Sequence, residues 1–180
     1  MTNRYTRTAV SLHWLIALLI LAAFPLGLYM HDLPLSPYKL RLYSYHKWIG
    51  VTVFLLAVFR IYWRVTHRPP PLPDSMPRWE RIAAESVHWL LYVLLLLVPI
   101  SGWLMSSAKG FQTVWFGVLP LPDLVGKDKA LGELLQQVHE LFNYTLFGVL
   151  AGHIGAALKH QFIERDDILS RMVPWLRKSS

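Results

Sequence analysis

The sequence predicts an all-α protein, a membrane-spanning antiparallel four-helix bundle. Three observations carry that expectation. Hydrophobic residues make up 54% of the 180 positions and charged residues only 16%, a composition too apolar for an average soluble domain. Apolar windows recur four times, over residues 9–30, 48–63, 83–105 and 136–158, and a helix needs about 20 residues to cross the hydrocarbon core. The stretches between the windows hold prolines and polar residues, which stop helices.

One domain covering residues 1–180 is expected from the length, with helices over about 9–30, 42–64, 82–106 and 134–162. The first apolar segment is longer than a secretion-signal core and lacks a clear small-residue cleavage site, so it reads as a retained helix carrying His13. A short outer loop, "HDLPLSPYKL", leads to the second helix, whose window reaches spanning length only with His46 and Lys47 at its end. Such end charges snorkel to the headgroups. The inner loop "HRPPPLPDSMPR" is proline-dense and reads as a semi-rigid extended spacer. The third helix has His88 near its inner end and Pro99 as a kink. The outer loop over residues 106–133 is the longest, with an aromatic stretch too short to span, placed to lie in the interface and cap the bundle. The fourth helix is "VHELFNYTLFGVLAGHIGAALKHQ", and the tail "ERDDILSRMVPWLRKSS" reads as a short amphipathic segment on the cytoplasmic surface.

The net charge of +7 reflects orientation. Four crossings put twelve of the eighteen Lys and Arg residues on the side of the termini and the middle loop, so the positive-inside rule makes both termini cytoplasmic. No nucleic-acid partner is needed to explain the basicity. The chain has no cysteine, which excludes disulfides, iron–sulfur ligation and thiolate metal sites.

The histidines carry the chemistry. His139 and His153 are fourteen residues apart, which on an α-helix places them within about 40° of one face and about 21 Å apart along the axis. His46 enters from the outer side at the level of His139, and His13 from the inner side at the level of His153. Two facing imidazoles at one depth can clamp a haem iron from both sides. A single membrane histidine also serves as a hydrogen-bonding group between helices, but two depth-matched pairs favour ligation. Zinc is the weaker alternative, because each level offers two good ligands where zinc takes three or four. Gly50, Gly148, Gly152 and Gly155 near these positions would let a flat ring approach the backbone, or serve small-residue helix packing.

The segments "RYTRTAVSLHWLIALLI", "YHKWIGV", "HWLLYVLLLLVPISGW", "VHELFNYTLFGVLAGHIGAALKH" and the closing "RMVP" resemble the bacterial four-helix di-haem cytochrome b561 family, in order over nearly the whole chain. The resemblance implies two b-type haems (iron protoporphyrin). By position it makes His13 and His153 the ligands of a cytoplasmic-side haem, and His46 and His139 those of a periplasmic-side haem. It further implies one-electron transfer in the bacterial inner membrane, coupled to ubiquinone as electron acceptor or donor. One member oxidises superoxide; more distant relatives are the cytochrome b subunits of membrane-bound dehydrogenases. A haem-bearing anchor for a partner dehydrogenase or a periplasmic redox protein is therefore the alternative function, and a haem-free scaffold a third.

Other residues stay open at the level of sequence. His88 lies at inner-haem depth and suits a propionate contact, a proton relay to quinone, replacement of His13 or His153 as ligand, or a helix-to-helix hydrogen bond. His160 suits a quinone contact or the headgroup layer. Arg60 suits a haem propionate, which guanidinium pairs bidentately, or lipid phosphate. His31 and His67 lie in or beside loops and read as solvated. The outer cations Lys39, Arg41, Lys47, Lys109, Lys127 and Lys129 can steer an anion such as superoxide, though nearby acidic residues nearly cancel them.

Overall fold

A computed structural model describes residues 4–73, 76–166 and 168–173. Four long helices follow one another: α1 Arg7–His31, α2 Pro37–Thr66, α3 Arg78–Ala108 and α4 Lys129–Lys159. Each is long and apolar enough to cross a membrane. The helices begin earlier than the apolar windows suggest, and polar caps start three of the four. Thr6 Oγ1 accepts from the Ala9 amide, Ser36 Oγ from Lys39, with Pro37 opening α2, and Asp128 Oδ1 from Leu131. At 30 residues α2 is about 45 Å long, half as long again as the hydrocarbon core of about 30 Å. Its ends must project beyond the apolar layer.

Successive helices pack side by side, α1 on α2, α2 on α3 and α3 on α4. The dry core is built by the first three, from Ile16, Val53, Ala57, Tyr92 and Leu95. By contrast, α4 lies tightly only against α3 and reaches the others through rings. Phe147 stacks on Phe24 of α1 at 4.8 Å, and its histidines face those of α1 and α2. Elsewhere the surface is apolar, with exposed Leu15, Leu18, Leu55 and Leu141 that suit lipid.

The long outer loop folds into a two-stranded hairpin, β1 Val114–Trp115 with β2 Leu119–Pro120, antiparallel with Trp115 opposite Leu119. Its turn needs positive φ at Phe116 (50°) and Gly117 (73°), the handedness that matches strand twist. Indoles pin it: Trp48 Nε1 donates to the Val114 carbonyl at 2.7 Å, and Trp115 Nε1 to Thr52 Oγ1 at 3.3 Å. The hairpin thus flanks α2.

On the inner side α4 widens into a π-helical turn, His160–Glu164, closed by Arg165 at φ 56°. The chain returns through a 3₁₀ turn, Leu169–Arg171. Trp14 Nε1 donates to the Met172 carbonyl at 2.8 Å and Arg171 Nη1 to the Pro71 carbonyl at 2.6 Å. The last part of the expected amphipathic tail, residues 174–180, lies outside the described residues, as does Pro174 of "RMVP".

Candidate functional site

The histidine pairs expected from depth are brought together. The ring centres of His46 and His139 are 6.3 Å apart, at an interplanar angle of 87°. Those of His13 and His153 are likewise 6.3 Å apart, at 63°. A ligating imidazole nitrogen sits about 2 Å from its metal and roughly 1 Å from its ring centre, so two imidazoles on opposite sides of one metal have centres about 6 Å apart. Both pairs match that span. Rings that stand upright on opposite faces of a flat group can adopt any mutual twist, so both angles are compatible with it.

The outer pair opens into a pocket lined by all four helices, including Phe24, His46, Gly50, Leu95, His139, Asn143 and Phe147. Cofactor pockets are lined mainly by apolar side chains with a few placed polar groups, and this lining is of that kind. The room exists because α4 stands off from α1 and α2. A Cβ at Gly50, Gly148, Gly152 or Gly155 would meet nothing within 4 Å, so those glycines face open space in this bundle. The residues present fit a flat bis-imidazole-ligated group.

Hydrogen bonding sets the tautomers. His46 Nδ1 lies 3.1 Å from the Ala23 carbonyl and His139 Nδ1 3.0 Å from the Val98 carbonyl. A carbonyl only accepts, so each Nδ1 carries the proton and Nε2 keeps a lone pair to ligate with. Ser101 Oγ lies 3.0 Å from the same Nδ1 of His139. Sequence reasoning did not single out Ala23, Gly27, Val98, Ser101 or Gly102, which build these contacts. Their only trace is a helix-interior proline followed within three residues by glycine, in "AFPLG" and "VPISG".

The inner level holds three imidazoles. His88 of α3 faces His153 with ring centres 5.3 Å apart, at 70°. Arg60 Nε donates to the Tyr92 hydroxyl at 3.2 Å and Nη1 to the Ala9 carbonyl at 3.4 Å, and the guanidinium of Arg64 lies 5.7 Å from the Tyr92 ring centre. Tyr5, just outside α1, joins this cluster; burial pushes its phenol above its ordinary range, so it remains a neutral donor. The two arginines make this end cationic and suited to carboxylates.

His160 lies at the inner border, in contact with carboxylates rather than free among headgroups. Its Nδ1 is 2.5 Å from Glu164 and 2.7 Å from Asp166, while Lys159 bridges Glu80 and Glu164 at 2.7 Å each. Among the described residues, Glu80, His160 and Glu164 bring ligand atoms within 4.8 Å, but the Lys159 ammonium already occupies the space between the glutamates. On the outer side, Lys39 donates to the His31 and Leu33 carbonyls, Lys47 to the Phe111 carbonyl and Lys109 to Gln136 Oε1. His31 contacts Asp32 at 2.9 Å and His67 stacks on Trp63 at 3.9 Å.

Comparison with known proteins shows the family to which the chain belongs. The family model described as prokaryotic cytochrome b561 matches residues 4–175. Cytochrome b561 homolog 2 of Escherichia coli (strain K12) is 35% identical over 173 residues, 95% of this chain and 92% of that protein. Cytochrome b561 homolog 1 of the same organism is 27% identical over 183 residues, 96% and 98% of the two chains. A protein named probable superoxide oxidase CybB in Yersinia pestis is 26% identical over 175 residues, 97% of this chain and 98% of that one.

Proposed function

Because the chain belongs to the prokaryotic cytochrome b561 family, a multi-pass bacterial membrane protein that transfers electrons with b-type haem, we propose that it holds two haems and joins superoxide to the ubiquinone pool. The observation that carries this reading is the pair of imidazole couples, each 6.3 Å across, set fourteen residues apart on α4. In this reading His46 and His139 hold the outer group, and His13 and His153 the inner one. Held by these residues, b-type haem would supply one-electron exchange.

The chain's own residues do the rest. The Ala23 and Val98 carbonyls hold the outer imidazoles in the ligating tautomer. Arg60, Arg64 and His88 would offer positive or donor groups to the carboxylates of an inner haem. Lys39, Lys47 and Lys109, bonded to neutral oxygens, draw a small anion toward the outer face. His160, held by Glu164 and Asp166, carries protons between the inner water and a bound quinone. The balance is two superoxide anions giving two dioxygen molecules, while ubiquinone takes two electrons and two protons to become ubiquinol. Both termini lie on the cytoplasmic face of the inner membrane in this orientation.

The test uses the purified protein in liposomes containing ubiquinone. A reduced-minus-oxidised spectrum of a b-type cytochrome, with superoxide-dependent quinol formation, supports the reading. Haem-bearing protein that stays inert to superoxide and co-purifies with a dehydrogenase replaces it with the anchor function. A colourless protein from haem-replete cells refutes both.

A further inference from the structure

The two outer imidazoles are seated by the same device on two different helices. In α1 the Ala23 carbonyl takes the Nδ1–H of His46 at 3.1 Å, and Gly27 stands four residues later, one turn along the same face. In α3 the Val98 carbonyl takes the Nδ1–H of His139 at 3.0 Å, and Gly102 again stands four residues later. Each glycine is the notch that lets the ring in. A Cβ on Gly27 would lie 3.2 Å from His46 Cε1, and one on Gly102 2.9 Å from His139 Cε1. A proline sits inside both segments, Pro25 and Pro99, where it removes one helix N–H and loosens the turn.

The seats differ at one position. Three residues after Ala23 stands Leu26; three after Val98 stands Ser101. Ser101 is only 4% exposed. Its hydroxyl donates to the Val98 carbonyl at 2.8 Å and lies 3.0 Å from His139 Nδ1. The imidazole N–H is therefore shared between two acceptors in one seat and has a single one in the other. A stronger pull on that proton makes the ring a stronger donor to a metal.

We propose that the carbonyl–glycine notches at Ala23–Gly27 and Val98–Gly102 position the two outer imidazoles, and that Ser101 is a positioning residue that sets the donor strength of His139. This rests on the reading that His46 and His139 hold the outer haem. A stronger donor favours oxidised iron, so the shared bond lowers the outer reduction potential and leaves the inner one unchanged.

The test is a spectroscopic redox titration of the purified haem-loaded protein, with haem content measured in parallel. Ser101→Ala is expected to keep both haems and raise one midpoint only. The expected size is on the order of tenfold in the reduction equilibrium, about 59 mV for one electron. Ser101→Thr, which keeps the hydroxyl, is expected to restore it, and Leu26→Ser to lower the same midpoint. Gly102→Ala is expected to change the low-spin resonance signal of the outer haem or expel it, with Gly148→Ala as the unhindered control. No shift in Ser101→Ala, or equal shifts of both midpoints, overturns the proposal. So does a Gly102→Ala variant with native signals. If Gly102→Ala does not fold, the Ser101 and Leu26 variants decide. Should His139→Ala retain the outer haem, the underlying ligand reading fails; should it lose that haem while Ser101→Ala behaves as the parent, only this inference fails.

Discussion

Replacing His139 with alanine removes half of the outer imidazole pair and nothing at the inner level. The rise of α4 separates His139 from His153 by about 21 Å, and sites farther apart than about 7–10 Å respond independently. In the outer cavity the remaining polar side chains are His46 and Asn143, and Asn143 Nδ2 already donates to the carbonyl of residue 139 at 2.7 Å. The cavity thus offers His139 no substitute, and a single axial imidazole is left. Haem content, read by pyridine haemochrome against protein concentration, is expected to fall from two per chain to one. The remaining signal should be that of the inner site, and adding His153→Ala should bring the content toward zero. A His139→Ala protein that keeps two haems, or loses both, refutes the reasoning. The inner level is less simple, since His88 stands 5.3 Å from His153. His153→Ala is expected to halve haem content, and an intact low-spin inner signal in that variant would show His88 substituting.

Four further outcomes follow from the packing and charge. Ala57 is 0% exposed among Ile16, Val53, Tyr92 and Leu95, so Ala57→Leu should cost about 1–3 kcal/mol by overpacking, seen as a lower thermal midpoint in detergent. Lipid-facing Leu18, 62% exposed, should tolerate alanine within about 0.5 kcal/mol. Trp14→Phe removes the indole bond to the Met172 carbonyl, worth about 1 kcal/mol, and limited proteolysis should then cut faster within residues 168–173. Arg60→Ala removes a cation beside the inner imidazoles. It should lower the inner haem's midpoint in a redox titration, because positive charge nearby favours the reduced form; an unchanged midpoint would place that charge elsewhere.

Helix number, span and the depth of each histidine were legible in the sequence because they depend on local, additive quantities. Apolar length counts against membrane thickness, and a constant rise and turn per residue convert a fourteen-residue interval into a height and a face. The aromatic loop was legible as too short to span, but not as a hairpin. Its strands are two residues each and are held by indole hydrogen bonds to α2, between residues more than sixty apart in the chain.

What only the tertiary structure decided is how the helices stand against one another. The stand-off of α4 from α1 and α2, which makes the cavity, is a matter of interaxial distance that one chain segment cannot encode. The same holds for Gly27, Gly102 and Ser101. Each sits in an ordinary apolar helix until a neighbour's rotation and offset bring an imidazole against it. His88 shows the limit most plainly, since its depth could be counted, but the 5.3 Å approach to His153 arises from the tight packing of α3 on α4. Depth is a property of one helix, whereas contact is a property of two.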